Sequence, residues 1–162
     1  MAELTQIETK IAEVIGLAQA AQGATEKVAK LVEDNELKRT LERMNQEAAE
    51  TEQRTTQVAE GLDGKKTAIL EKARETKQEA TEMMQTYLGS DADGLDGLEF
   101  LTMAEAGEVG HWQILGTMNE RARYSELQQV IDWVTPIQQR HFQDTLQGSL
   151  KLAAEEDPNE PA

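Results

Sequence analysis

Residues 37–62 read LKRTLERMNQEAAETEQRTTQVAEGL, and apolar or small side chains recur at Leu37, Leu41, Met44, Ala48, Thr51, Thr55, Val58 and Leu62. Alternating steps of four and three keep side chains on one face of an α-helix, and such a face packs against neighbouring helices. A strand would need alternation every second residue, which this stretch lacks. It predicts a long amphipathic helix with one buried seam.

The same period extends outward in both directions. A third helix carries Ile69, Ala73, Thr76, Ala80, Met83 and Tyr87. A fourth carries Leu101, Ala104, Glu108, His111, Leu115, Met118 and Ala122, and a fifth Leu127, Ile131, Val134, Gln138, His141, Thr145, Gly148 and Leu152. Turn signals at Glu33-Asp34-Asn35, Gly61-Leu62-Asp63-Gly64, residues 89–95 and Tyr124-Ser125 cut the chain into five helical stretches. The first covers 2–33, the second about 36–61 and the third about 65–88. Asp96 with Glu99, and Ser125 with Gln128, have the spacing of capping boxes that open the last two. Residues 1–154 then form one helical bundle, with the third helix as an addition to a four-helix core. Residues 155–162, acidic and broken by proline, form a disordered tail.

Composition agrees with this all-α reading. Aromatic residues make up only 4% of the chain, too few for a sandwich or barrel, while Ala, Glu and Gln dominate and favour helix. Sixteen basic residues against thirty-one acidic ones leave a formal charge of −15, which repels nucleic acid and anionic membranes but concentrates divalent cations. With no cysteine there is no disulfide, thiolate metal site or Cys nucleophile. No basic segment followed by an apolar run opens the sequence, which leads to the expectation of a cytoplasmic protein. Phosphate loops, dinucleotide fingerprints and serine-nucleophile motifs are missing, so any enzymology rests on a bound metal. Asp91, Asp93 and Asp96 suggest a calcium loop, but the third Asp falls one place late and Thr102 stands where the closing Glu is required.

The chemistry lies where a seam turns polar. Glu108, His111, Gln138 and His141 occupy positions that the period assigns to the core, and Glu105 flanks them. A turn near 123–124 makes the last two helices antiparallel, which brings Glu105, Glu108 and His111 level with the stretch from 136 to 142. Buried carboxylates and imidazoles are costly unless paired or bound to a metal. On the second helix Glu47 and Glu50 are further candidates; Gln19 and Gln22 are the polar residues of the first helix nearest the height of Glu47, and acidic Glu8 lies about twelve residues further along, roughly 18 Å. The candidate metal ligands are thus Glu47, Glu50, Glu105, Glu108, His111 and His141. The alternative is a histidine satisfied by a carboxylate, with no metal.

These residues resemble the ferritin-like superfamily, most closely the bacterial stress-associated ferritin-like proteins of unassigned function. Glu108-Val109-Gly110-His111 is similar to the family's Glu-x-x-His motif, and Gln138-Gln139-Arg140-His141 to the same motif with Gln for Glu. Glu47-Ala48-Ala49-Glu50-Thr51 is similar to the ligand stretch of the family's second helix, and His111-Trp112 with Gly116-Thr117-Met118 to its fourth. The resemblance spans most of residues 10–153. It implies a ferritin-like antiparallel four-helix bundle with a fifth helix, a divalent metal (iron or manganese, in one- or two-ion form) and redox or stress-protective activity. It departs in offering Gln19, Gln22 and Gln138 where the family has Glu, and Glu47 where it has an imidazole. Amides bind these ions less well than carboxylates. The competing expectation is a metal-free helical interaction or stress protein with a degenerate site. Long amphipathic helices further suggest a homodimer or larger homo-oligomer.

Overall fold

A computed structural model describes residues 2–162, and among them it is all-helical: α1 (Gln6–Ala29), α2 (Asn35–Glu60), α3 (Lys66–Tyr87), α4 (Gly94–Ala122) and α5 (Ser125–Glu155). Among the described residues no helix is long and apolar enough to cross a membrane.

Local chemistry sets the helix starts. Thr5 caps α1 in a reciprocal box: its hydroxyl accepts from the Glu8 amide, and the Glu8 carboxylate accepts from the Thr5 amide at 2.7 Å. Asp34 accepts from the Leu37 amide and starts α2. The box that opens α4 is Asp93 with Asp96, each accepting from the other's amide at 3.0 Å, rather than Asp96 with Glu99. Starting the helix one turn earlier satisfies the free amides at residues that already sit in the Gly-Asp loop. Nor does Ser125 cap α5; Tyr124 holds the cap position without a side-chain bond. The α4–α5 turn is fixed instead by buried Asn119. Its Oδ1 accepts from the Tyr124 amide, and its Nδ2 donates to the Tyr124 carbonyl and to Gln128 Oε1. That clamp holds Arg123 at φ 59°, a left-handed conformation unusual for a side chain other than glycine.

Cross-helix contacts give the directions. Gln19 bonds Glu52 and Thr25 bonds Asn45, Thr102 bonds Ser149 and Asn119 bonds Gln128, and Arg43 bonds Asp144 and Glu47 bonds Arg140. In each pair the numbers run oppositely, so α1/α2, α4/α5 and α2/α5 are antiparallel. His111 faces Glu13 and Gly97 faces Val28, so α1/α4 is antiparallel too. The pairs α1–α2, α2–α5, α5–α4 and α4–α1 all pack, closing a ring of four helices. Outside the ring, α3 lies against α1 and α2 and carries the chain back along α1 in the same direction.

The apolar interior is split in two. One cluster gathers Ile11, Ile15, Val58, Ile69, Leu115 and Leu127 at one end; the other gathers Val28, Leu41, Met44, Leu98 and Leu101 at the opposite end. Between them the buried positions are small or polar: Ala18, Ala48, Thr51, Thr55, Glu105, Glu108, Gln138, His141 and Thr145. The three threonines donate to carbonyls four residues back in their own helices and are thereby satisfied.

Candidate functional site: a polar layer at mid-bundle

Helix rotation decides which candidates meet. The buried stripe of α4 is Leu101, Glu105, Glu108, Trp112, Leu115 and Asn119. It coincides with the predicted seam at 101, 108 and 115 and lies one residue later at the other positions. Burying Trp112 removes more apolar surface from water than burying His111, so the helix turns to seat the indole. That rotation takes Glu105 into the core and His111 out of it.

Four of the six candidate ligands are brought together. On α5, His141 lies between two carboxylates, with Nε2 3.3 Å from Glu47 Oε1 and Nδ1 3.6 Å from Glu105 Oε2. Gln138, one turn earlier on the same face, donates through Nε2 to Glu105, and its amide also acts on Glu108. Glu105, Gln138 and His141 are 2–3% exposed and Glu108 9%, so the layer is buried. Burial first, and then the charge of neighbouring Glu105, pushes the Glu108 carboxyl well above the usual carboxylate range; the Gln138 hydrogen bond acts against them.

The other two candidates lie elsewhere. Glu50 sits on the outer surface of α2, where it pairs with Arg54 at 2.7 Å. The His111 ring lies between α4 and α1 with Nδ1 3.5 Å from Glu13 Oε2, and that nitrogen is shut off from solvent without a hydrogen bond. Burial draws the His111 imidazole below its ordinary value, with Glu13 pulling the other way. The first helix adds no ligand. Gln19 and Gln22 both donate to Glu52, and Glu8 is committed to its cap and to Lys65.

Two residues outside the candidate set complete the layer. Arg140 donates to Glu47, and Arg43 stands 3.7 Å from the same carboxylate while pairing with Asp144. The Arg43–Glu47 spacing of four is a readable helix pair. Arg140 carries no such signal, because its partner lies on another helix.

The two-ion set implied by the resemblance does not fit this arrangement. Glu47 is already neutralised by two guanidinium groups, and Glu50 and His111 are absent from the layer. As the side chains stand, no three His, Asp or Glu groups among the described residues form a metal-binding cluster. What the donor chemistry leaves is one locus, with carboxylates from Glu105 and Glu108 and an imidazole from His141. Neither Lys nor Arg is among the groups acting on Glu108.

The pH response of this locus has a defined sign. A carboxyl raised in the folded state keeps a proton that the unfolded chain releases. Its contribution is therefore intact below the ordinary glutamate value, about 4.3, and is lost as pH rises through the elevated folded value. With chelator present, Glu108→Gln should exceed the wild type in urea midpoint at about pH 8, with the gap closing toward about pH 4. Parallel midpoints across that range would show that Glu108 is not crowded by Glu105. No family model, curated protein or solved structure matches this chain.

Proposed function

We propose that this chain is a ferritin-like helical bundle that holds a single divalent cation in its mid-bundle layer. Glu105 and Glu108 would supply the oxygens and His141 Nδ1 the nitrogen. The observation that carries this reading is the acid pair itself: two buried carboxyl groups one turn apart, with an imidazole facing one of them and no Lys or Arg offsetting Glu108. Such a pair is satisfied by a shared proton or by a cation, and the chain's charge of −15 enriches cations around it. Two antiparallel hairpins joined by a long crossover, which here is α3, give the ferritin-like connectivity further support.

Hard oxygens with one imidazole suit manganese, iron(II) or zinc, and a bound ion would supply a fixed double positive charge. The protein's own part is orientation. Glu47, held by Arg43 and Arg140, faces the far nitrogen of His141 and fixes the ring, while Gln138 fixes Glu105. Redox or stress-protective activity belongs to this reading only with iron or manganese in place.

A specific observation favours a second reading, a metal-free bundle. Both His141 nitrogens already face carboxylates, Gln138 already bonds the acid pair, and Glu47 has its arginines. Thermal melting with chelator, manganese(II) or zinc(II) separates the two. At about 100 times its Kd a bound ion adds about 2.7 kcal/mol, which shifts the midpoint upward by several degrees. The Glu108→Gln, His141→Gln double variant should stay helical and show no shift. A wild type indifferent to both metals and to chelator supports the metal-free bundle and removes the cation from the account.

A further inference from the structure

A cleft of about 370 Å³ opens between α1, α3 and α4, at the small end of the range for small-molecule sites, ~300–1,000 Å³. Its existence follows from side-chain size. Ala20, Ala24, Ala80 and Gly107 line it where three helices meet, and larger residues there would close it. Met84 and Phe100 complete apolar walls, and exposed Met83, Met103 and Tyr87 ring the rim. The polar residues along it are Thr81, Tyr87, His111, Glu105 and Glu108, and no Lys or Arg among the described residues lines the space.

We infer that this cleft binds a small amphiphilic amine, with its apolar body along the alanine and methionine walls and its ammonium group on Glu108 and Glu105. Charge complementarity selects this class. An anionic ligand would face two acids with no cation nearby. A neutral apolar ligand would fill the walls yet strip the remaining water from two carboxyl groups without replacing their hydrogen bonds, which is costly. An ammonium group brings three N–H donors and one positive charge to oxygens that already crowd one another. The inference shares the acid pair of Glu105 and Glu108 with the metal reading but needs neither a bound ion nor His141. Ion and ammonium are alternative positive charges for one acid pair, so the test is run in chelator.

The probes are hexylamine, hexanol and hexanoate, titrated calorimetrically into the full chain near neutral pH. One hexylamine should bind at least tenfold more tightly than hexanol, and hexanoate should give no measurable heat. Glu108→Gln should reduce the amine's advantage over hexanol to less than threefold. Gly107→Leu, whose Cβ meets no heavy atom within 4 Å, should fold and should weaken hexylamine and hexanol alike by at least tenfold. Equal binding of amine and alcohol would overturn the inference, as would an amine preference that survives Glu108→Gln or affinity untouched by Gly107→Leu. A dimer, detected by light scattering, that buries Met83 and Tyr87 and takes up no hexylamine would overturn it as well, by assigning the cleft to a second copy of the chain.

Discussion

Gly16→Ala should destabilise the protein by about 3 kcal/mol, the upper end for overpacking a tight interface. A Cβ at this position would lie 2.4 Å from the Ala73 carbonyl oxygen and 2.7 Å from Thr76 Cβ. The first of these is backbone and cannot swing aside, so α3 as a whole would have to lift off α1. Because α3 lies outside the ring of four, the damage should be local at first. Hydrogen exchange should accelerate across residues 66–87 before it does in α2 or α5. Gly107→Ala provides the contrast: its Cβ meets open space, so the change should add up to about 1 kcal/mol through helix propensity alone. Urea unfolding of both variants checks the pair. A Gly16→Ala protein within about 0.5 kcal/mol of the wild type would mean that α3 does not sit on α1 in this manner.

Gln138→Glu should invert the protein's response to metal. In chelator the substitution sets a third buried carboxyl group against Glu105 and Glu108 and removes the amide donor they share. Leaving buried charge uncompensated costs about 3–5 kcal/mol, so the metal-stripped variant should be strongly destabilised. With manganese(II) or zinc(II) the same group becomes a further ligand, converting residues 138–141 to a full Glu-x-x-His. Ion affinity should then rise at least tenfold, and stability should recover toward the wild type. Chemical denaturation in chelator and in metal measures both halves. A variant as stable as the wild type in chelator would show that the layer is not short of positive charge. One that is destabilised but fails to recover with metal would assign the layer to the metal-free reading.

How much of this was legible in the sequence differs from helix to helix. On α2 every residue of the predicted seam from Leu37 to Val58 is buried, and on α5 so is every residue of the seam from Leu127 to Gly148, with Val130 buried beside it. On α2 the seam alternates mostly with charged or amide residues, which leave no competing apolar stripe. α4 offers two stripes one residue apart, since Ala104, His111 and Met118 stand beside Glu105, Trp112 and Asn119. Periodicity alone cannot choose between them. The tie is broken by the indole of Trp112, which seeks burial, and by Asn119, which is needed at the turn. Had the larger apolar residue been preferred over the ligand type, His111 would have been assigned to the helix flank. On α3 the same one-residue slip buries Met84 and leaves Met83 exposed.

Site chemistry was legible where it depended on height and lost where it depended on rotation. The short turn at Arg123-Tyr124 fixes the level of α4 against α5, and Glu105 does meet Gln138 and His141. Glu47 reaches the same level from α2, but its arginine partners change what it can do. Arg140 looks like an ordinary surface cation between Gln139 and His141, and only the angle at which α5 faces α2 turns it onto Glu47. Glu50, three residues from Glu47, points away from the seam and pairs with Arg54 in its own helix.

We propose that one cation is held in the layer by Glu105, Glu108 and His141. The most direct measurement is the ratio of ions to chains after equilibrium dialysis against manganese(II) or zinc(II), read by elemental analysis. The ratio should be near one for the wild type and near zero for the Glu108→Gln, His141→Gln double variant. A ratio near two, or one that is unchanged in the double variant, or no retained ion in the wild type, would contradict the proposal.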